Sequence, residues 1–342
     1  MMKNMKYIPI IAIVIMMAGL AACEKEIPYD DIAPEPLLVV NGLQHVGEPA
    51  RLSVEKSSFY IDVEHDFRVK DVAVDLYVNG AFKESLRVSD SCTYVSSENW
   101  LTGEITEELS YAFVYCEGTY LLQAGDALRF EVRSSEFDEP AVAETKMPLT
   151  PQVIRFDTIR IDETSDGDRT VYFALEIDDP SGKDFYNLFG QEGLDGFTSN
   201  DPMFTDFMNI VHVDDLFGQS DYYGRGPYNL FNDAYFDGTR YSVTFRTRYY
   251  AYEGYVPEPF IVSVSQVDEH FYRFEKSYNT YHNTDDGLLG WFTEPTQVYS
   301  NVQHGVGVVG AQGEAVTFTV DLSDNGPRAL PWATDSEPLR GC

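Results

Sequence analysis

From Asp71 to Val78 the chain alternates without a break. Val72, Val74, Leu76 and Val78 fall on one side, and Asp71, Ala73, Asp75 and Tyr77 on the other. Successive side chains of an extended strand point to opposite faces, so a period of two with one apolar side predicts a half-buried strand. Asn79-Gly80 then supplies the positive φ angles of a two-residue hairpin turn, and Phe82 opens the returning strand. Similar segments flank this hairpin: Leu37 to Val40 closed by Asn41-Gly42, Arg51 to Lys56, Tyr111 to Tyr115, and Thr119 to Gln123. Leu128, Phe130 and Val132 alternate after a turn at Ala124-Gly125-Asp126, while Glu98 to Glu108 reads as an acidic loop. Residues 37–148 are expected to form a small antiparallel sandwich of immunoglobulin or transthyretin type. Met147-Pro148-Leu149-Thr150-Pro151 marks its end, because proline cannot donate to a strand ladder.

Residues 149–342 read as a second β-rich domain. Ile154, Phe156 and Ile159 precede a turn at Asp162 to Asp168, and Val171, Phe173, Leu175 and Ile177 return from it. Strands are also expected at Tyr241 to Phe245, Phe260 to Val264, Gly305 to Val309 and Val316 to Val320. One helix is predicted near 266–283, with Ser265-Gln266-Val267-Asp268 as a capping box. Its face would be Val267, Phe271, Phe274, Tyr278 and Tyr281, a spacing that suits packing. The expected class is therefore mainly β: two antiparallel β-sandwich-like domains, the second with one amphipathic helix.

The start of the chain speaks of location. Lys3 and Lys6 precede an apolar run from Ile8 to Leu20, which is shorter than a membrane span of about 20 residues. Residues 1–22 read as a signal peptide ending at Leu20-Ala21-Ala22-Cys23, a pattern that resembles the bacterial lipobox. Cys23 is the expected lipidation site, where small side chains admit the peptidase and a thiol is nucleophilic enough to be alkylated. Each buried methylene of the attached chains adds about 0.8 kcal/mol of membrane affinity. Residues 23–36 show no apolar face and read as a flexible tether. The acidic and Lys residues after Cys23 look like the surface-export signal of Bacteroidota lipoproteins.

Fifty-six acidic residues against 24 basic ones give a net charge of −32, and the signal removes two of the bases. Such a surface repels nucleic-acid phosphates, so no nucleic-acid partner is expected. Phe, Tyr and Trp at 14% supply enough core to exclude disorder. With Cys23 lipidated, Cys92, Cys116 and Cys342 remain in an oxidising compartment. Cys92 and Cys116 flank the acidic loop and are the expected disulfide, with Cys342 either free or paired with one of them.

Recognisable chemistry is sparse. The six histidines form no spaced pair, no G-x-S-x-G, Walker or zincin motif occurs, and paired acids such as Asp178-Asp179 are too common here to mark a glycosidase. No catalytic residue, metal site or cofactor is expected, and the chain reads as a non-enzyme. The Asp162 to Asp168 turn needs no ion to explain it. Crowded aromatics are more suggestive: Tyr222, Tyr223, Tyr228, Tyr235, Tyr249, Tyr250 and Tyr252 fall in irregular stretches and are candidates for binding a ligand or partner. Packing of long loops onto a sheet accounts for them equally.

Several short motifs occur in order. They are Leu38-Val39-Val40-Asn41-Gly42, Ala143-Glu144-Thr145-Lys146-Met147-Pro148, and Ile177-Asp178-Asp179-Pro180 before Tyr186. Asp233-Ala234-Tyr235-Phe236-Asp237-Gly238, Lys276-Ser277-Tyr278, and Glu294 to Val302 with Gly305-Val306-Gly307 follow. In these the chain resembles the outer-membrane lipoproteins of Bacteroidota with a domain of unknown function (4249), often encoded beside a TonB-dependent transporter. The resemblance implies a lipid-anchored location at the outer membrane, cell-surface facing (alternatively periplasm facing), and a transporter neighbour. It implies no reaction. The leading expectation is an accessory ligand-binding lipoprotein serving a TonB-dependent transporter in nutrient uptake. A structural or adhesive surface module and an extracellular hydrolase are the alternatives.

Overall fold

The computed structural model describes residues 35–58, 66–98, 105–163, 169–192, 211–212, 229–249, 260–285 and 297–320. Expectations for the signal, Cys23, Cys342, Tyr222, Tyr223, Tyr228, Tyr250 and Tyr252 lie outside these residues. Within them the chain is mainly β, with several antiparallel sheets and one helix.

The first sandwich packs two sheets. One has the order β16-β8-β7-β3-β4, from Val302–Gln303 (β16), Ala141–Lys146 (β8), Ala127–Arg133 (β7), Ala73–Val78 (β3) and Ala81–Ser85 (β4). Opposite lie Leu38–His45 (β1), Pro49–Lys56 (β2), Ile105–Leu121 (β6) and Arg87–Glu98 (β5). Leu38, Val40, Leu52, Val54 and Val114 pack with Leu76, Leu128, Phe130 and Ala143 in one core. The β3–β4 hairpin turns as expected, with Asn79 at φ 52° and Gly80 at φ 81°.

A second sandwich follows. Its outer sheet is β12-β14-β10-β9: Val211–His212 (β12), Arg240–Tyr249 (β14), Arg169–Asp178 (β10) and Val153–Glu163 (β9). Its inner side is Asn229–Asn232 (β13), Phe185–Glu192 (β11), Phe260–Val267 (β15) and Val316–Val320 (β18). Val171, Phe173, Leu175, Val243 and Phe245 bury against Tyr186, Leu188, Phe231, Val262 and Val264. The Phe156 ring stacks on Phe318 at 4.5 Å and on Phe173 at 5.4 Å.

The two sandwiches share a sheet. Val309–Gln312 (β17) pairs in parallel with β1, Gly42 opposite Val309 and His45 opposite Gln312. On its other side β17 meets β15 at Val267↔Gln312. The result is one nine-stranded sheet, β13-β11-β15-β17-β1-β2-β6-β5 with β18 on β15. The first core runs as far as Met147, and Val153 packs against the second. The chain nevertheless returns, because Val302, Val309 and Ala311 belong to the first core, so that core extends beyond residues 37–148.

Five expectations need correction, the first being the strand at Gly305 to Val309, where there is an isolated bridge at Val306 and the strand itself begins at Val309. Asn41-Gly42 is not a turn: β1 runs through it, the Asn41 side-chain oxygen accepting the Val308 N–H (3.0 Å) and Gly42 N–H donating to the Val308 carbonyl (2.9 Å). Glu98 to Glu108 is not all loop, since β5 and β6 pair as far as Glu98↔Ile105. The helix, Glu269–Asp285 (α1), begins later than expected. Ser265 to Val267 are committed to the β15–β11 ladder, and Asp268 is itself the N-cap, accepting the Phe271 N–H at 3.0 Å. Its second carboxylate oxygen accepts from Thr145 Oγ1 (2.7 Å), and the first also accepts the Ala311 N–H (3.0 Å), so one side chain joins β8, β17 and α1. Among the described side chains of α1, only Phe271 and Tyr272 are buried, with Val267 and Phe185 beneath them, whereas Tyr278 and Tyr281 are exposed.

The last correction concerns the cysteines. Cys116 is a free, fully buried thiol of the first core, pushed up to about 12 by that burial. The β5–β6 register sets Cys116 opposite Val88 and Cys92 opposite Ala112. A stagger of four residues is about 13 Å along a strand, beyond the reach of a disulfide. Cys92 is disulfide-bonded, but not to Cys116.

Candidate functional site

Two turns meet at one end of the second sandwich. Asp179-Pro180-Ser181-Gly182 leads from β10 towards β11, and Asp233 to Gly238 joins β13 to β14. The buried Asp179 carboxylate accepts the Tyr186 hydroxyl at 2.5 Å and the Gly238 N–H at 2.9 Å. Asp233 accepts the Asp184 N–H and Asp237 accepts the Gly182 N–H, both at 2.9 Å. The Gln266 side-chain amide donates to Asp184 at 3.2 Å. Carboxylate oxygens of Asp179, Asp184 and Asp233 all lie within 4.8 Å of one another.

That proximity perturbs them. Burial pushes the Asp184 carboxyl up to about 6, with Asp179, Asp233 and Asp237 adding repulsion. Burial also raises Asp233, against the hydrogen bond it accepts from Asp184. Tyr186 is raised by burial and by its bond to Asp179. An all-oxygen acidic set suits a hard cation such as calcium, or a shared proton. The hydroxyl, amide and backbone donors around it already satisfy much of the cluster, so the arrangement first of all ties the two turns together. Asp184 and Asp233 were not singled out from the sequence as chemistry. The signal was that both turns fall within the short motifs of the resemblance.

A concave site lies on the other face of the nine-stranded sheet. On β6, Ala112, Val114 and Cys116 point into the first core, which leaves Phe113 and Tyr115 outward. Leu43 of β1 and Arg51 and Ser53 of β2 share that outer face, and α1 supplies Phe271 and Phe274 as a wall. Together with Asn41, Gly42, Leu52 and Val308 they line a groove of about 440 Å³. The Phe113 ring lies 5.7 Å from that of Tyr111, which in turn lies 5.0 Å from that of Phe67. The Tyr111 hydroxyl donates to the buried Glu55 carboxylate. At the rim, Arg51 donates to Glu117 at 3.1 Å and to Glu48 at 2.5 Å. An apolar, aromatic-walled groove with a few fixed polar groups is the usual form of a small-ligand site.

Of the tyrosines expected to bind, only Tyr235 and Tyr249 fall within the described residues. Tyr235 is 65% exposed on the β13–β14 turn and is not part of the groove. Tyr249 ends β14 opposite Arg169. The groove aromatics come from a strand and from a helix whose spacing suits packing.

A mainly β, double-sandwich protein with a helix-walled groove is the class these features define. The chain belongs to the family of domain of unknown function 4249, which matches residues 24–317. No curated protein matches it. Among solved structures it is similar to a beta-glucuronidase from glycoside hydrolase family 2. The identity is 12%, covering 90% of this chain but only 23% of that one, with a TM-score of 0.17. It is also similar to CfaE, the adhesive subunit of the CFA/I fimbria of enterotoxigenic Escherichia coli. There the identity is 9%, covering 84% of this chain and 87% of that one, with a TM-score of 0.20. At these scores neither likeness bears on activity.

Proposed function

We propose that this protein is a surface-exposed, lipid-anchored outer-membrane protein. It assists a TonB-dependent transporter in nutrient uptake by holding a ligand in the groove between α1 and the nine-stranded sheet. The observation that carries the reading is the groove itself, whose walls are Phe113, Tyr115, Phe271 and Phe274. Aromatic rings offer a large contact area at low entropic cost, and Arg51 at the rim can orient a polar group. The lipobox pattern ending at Cys23 supports the anchor, and the tether of residues 23–36 holds the domains off the membrane. The resemblance to lipoproteins encoded beside such transporters supports the partner.

The test is a mild-detergent pull-down of the tagged lipoprotein from native outer membranes, read by mass spectrometry. A near-stoichiometric TonB-dependent transporter is expected. Ligands of that transporter should then bind the isolated lipoprotein, and Phe274→Ser should weaken that binding. Recovery of the lipoprotein alone, with no ligand bound, would sink the transporter reading and turn attention to adhesion and hydrolysis.

A further inference from the structure

On the opposite flank of α1 lies a second groove of about 520 Å³, closed by residues 297–300. It is the more polar of the two. Arg273 and Lys276 project into it from successive turns of α1, and Ser277, Thr280, Gln297 and Ser300 add polar groups. In a chain of net charge −32, basic side chains are readily taken by carboxylates. Arg51, Arg68, Arg129 and Arg133 each have such a partner. Among the described residues Arg273 and Lys276 have none. Glu269, one turn earlier on the helix, is held by Lys183 at 2.6 Å, and the Arg273 charge acts on it only at a distance.

The two cations are positioned by rings instead. The Arg273 guanidinium lies 4.1 Å from the centre of the Tyr299 ring, and the Lys276 ammonium 5.1 Å from that of Tyr272. Both rings are fixed. The Tyr299 hydroxyl shares a 2.7 Å hydrogen bond with His270 Nδ1, and its backbone N–H donates to Ser277 Oγ at 2.8 Å. Tyr272 is 7% exposed, and its hydroxyl accepts from Asn232 Nδ2 at 2.9 Å. A guanidinium positioned over a ring and not engaged by a carboxylate has N–H donors to offer a planar, bidentate acceptor. The groove also brings together two sequence motifs, Lys276-Ser277-Tyr278 and Gln297 to Val302.

We propose that the groove between α1 and residues 297–300 binds a small carboxylate ligand, with Arg273 gripping the carboxylate and Lys276 adding charge. It is a different site from the apolar groove, and it stands or falls separately from the transporter reading. The surrounding negative charge selects against weakly held anions, and the paired donors offset that repulsion locally.

Calorimetric titration of the full chain at low salt, with glucuronate, glutamate and inorganic phosphate as probes, tests it. Saturable binding of glucuronate or glutamate is expected, and which of them binds tells a sugar acid from an amino acid. Arg273→Gln and Lys276→Gln, both exposed positions that leave the fold intact, should each weaken binding by about tenfold, as expected for loss of one charge-assisted contact. Phe274→Ser, in the other groove, should leave it unchanged. Absence of saturation by both carboxylates, equal binding by the Arg273→Gln variant, or tighter binding of phosphate than of either carboxylate would overturn the assignment.

Discussion

Asn301 pairs with Val309 as a neighbouring strand would. Its side-chain oxygen accepts the Val309 N–H at 3.0 Å, and its side-chain nitrogen donates to the Val309 carbonyl at 2.9 Å. The same nitrogen donates to the Glu144 carbonyl at 3.0 Å, so one amide joins the two sheets of the first sandwich. Replacing it with Ala strands partly buried backbone groups, each costing about 1–3 kcal/mol when unsatisfied. Asn301→Ala should therefore lower the unfolding free energy by roughly 2–4 kcal/mol in urea titration. Asn301→Asp should do no better, because a carboxylate faces two carbonyls. A loss within error of zero in both variants would refute this role.

Gly310 is where α1 settles on β17. A Cβ added there would stand 2.7 Å from Cβ of Phe271, and 3.2 Å from its Cα. Gly310→Ala should force the first turn of the helix outward and lower stability by about 1–3 kcal/mol, the usual cost of overpacking. At Gly307 the demand is stricter. Its φ is 116°, and a Cβ would meet the Val40 carbonyl oxygen. Gly307→Ala should thus melt at a lower temperature than Gly310→Ala. The reverse order would show that helix docking, not strand approach, is the tighter constraint.

The Asp184 carboxyl, raised to about 6, predicts a signed pH dependence. A carboxyl whose folded-state value is raised favours the folded state while protonated, and that contribution is lost as pH climbs from about 4 to about 6. Asp184→Asn mimics the protonated form, and its oxygen can still accept from Gln266. It should be more stable than the parent at pH 7.5 and indistinguishable from it near pH 4. A stability gap that did not narrow on acidification would contradict the electrostatic account.

Cys116 should resist alkylation. Its thiol is 0% exposed and held far from its reactive thiolate form by burial. Without reductant, mass spectrometry after iodoacetamide treatment at pH 8 should find Cys116 unmodified in the folded protein and modified in urea. Recovery of a Cys92–Cys116 linked peptide would contradict the strand register.

The strands themselves were legible because their residues carry the signal locally. Val72 to Val78 alternate and Asn79-Gly80 turn, and nothing distant is needed to form that hairpin. What could not be read was which strands become neighbours. Asn41-Gly42 has the same turn chemistry as Asn79-Gly80, but its partner is Val308, 267 residues away in the case of Asn41. Ser265 to Val267 suit a helix start as well as a strand end, and pairing with Phe185 to Asn187 decided between them. The groove was hidden for a related reason. Alternation shows that Phe113 and Tyr115 face away from the first core, but not that a helix from the other sandwich walls in that face. The acid cluster drew on Asp residues that are ordinary in turns, and only the meeting of two turns gives them a shared environment.

The parallel pairing of β1 with β17 bears on how the protein is made. A chain that emerges from its amino end presents β1 to β8 early, and β17 only when nearly all of the described strands have preceded it. Throughout that interval β1 keeps an open edge in what will become the middle of a sheet, a template for pairing with other chains. The first sandwich can close only when a segment from the far end inserts beside it, a slow, high-contact-order step. Truncations that stop between residues 149 and 308, although they spare the whole of the apparent first domain, should leave an aggregating fragment and not a folded half.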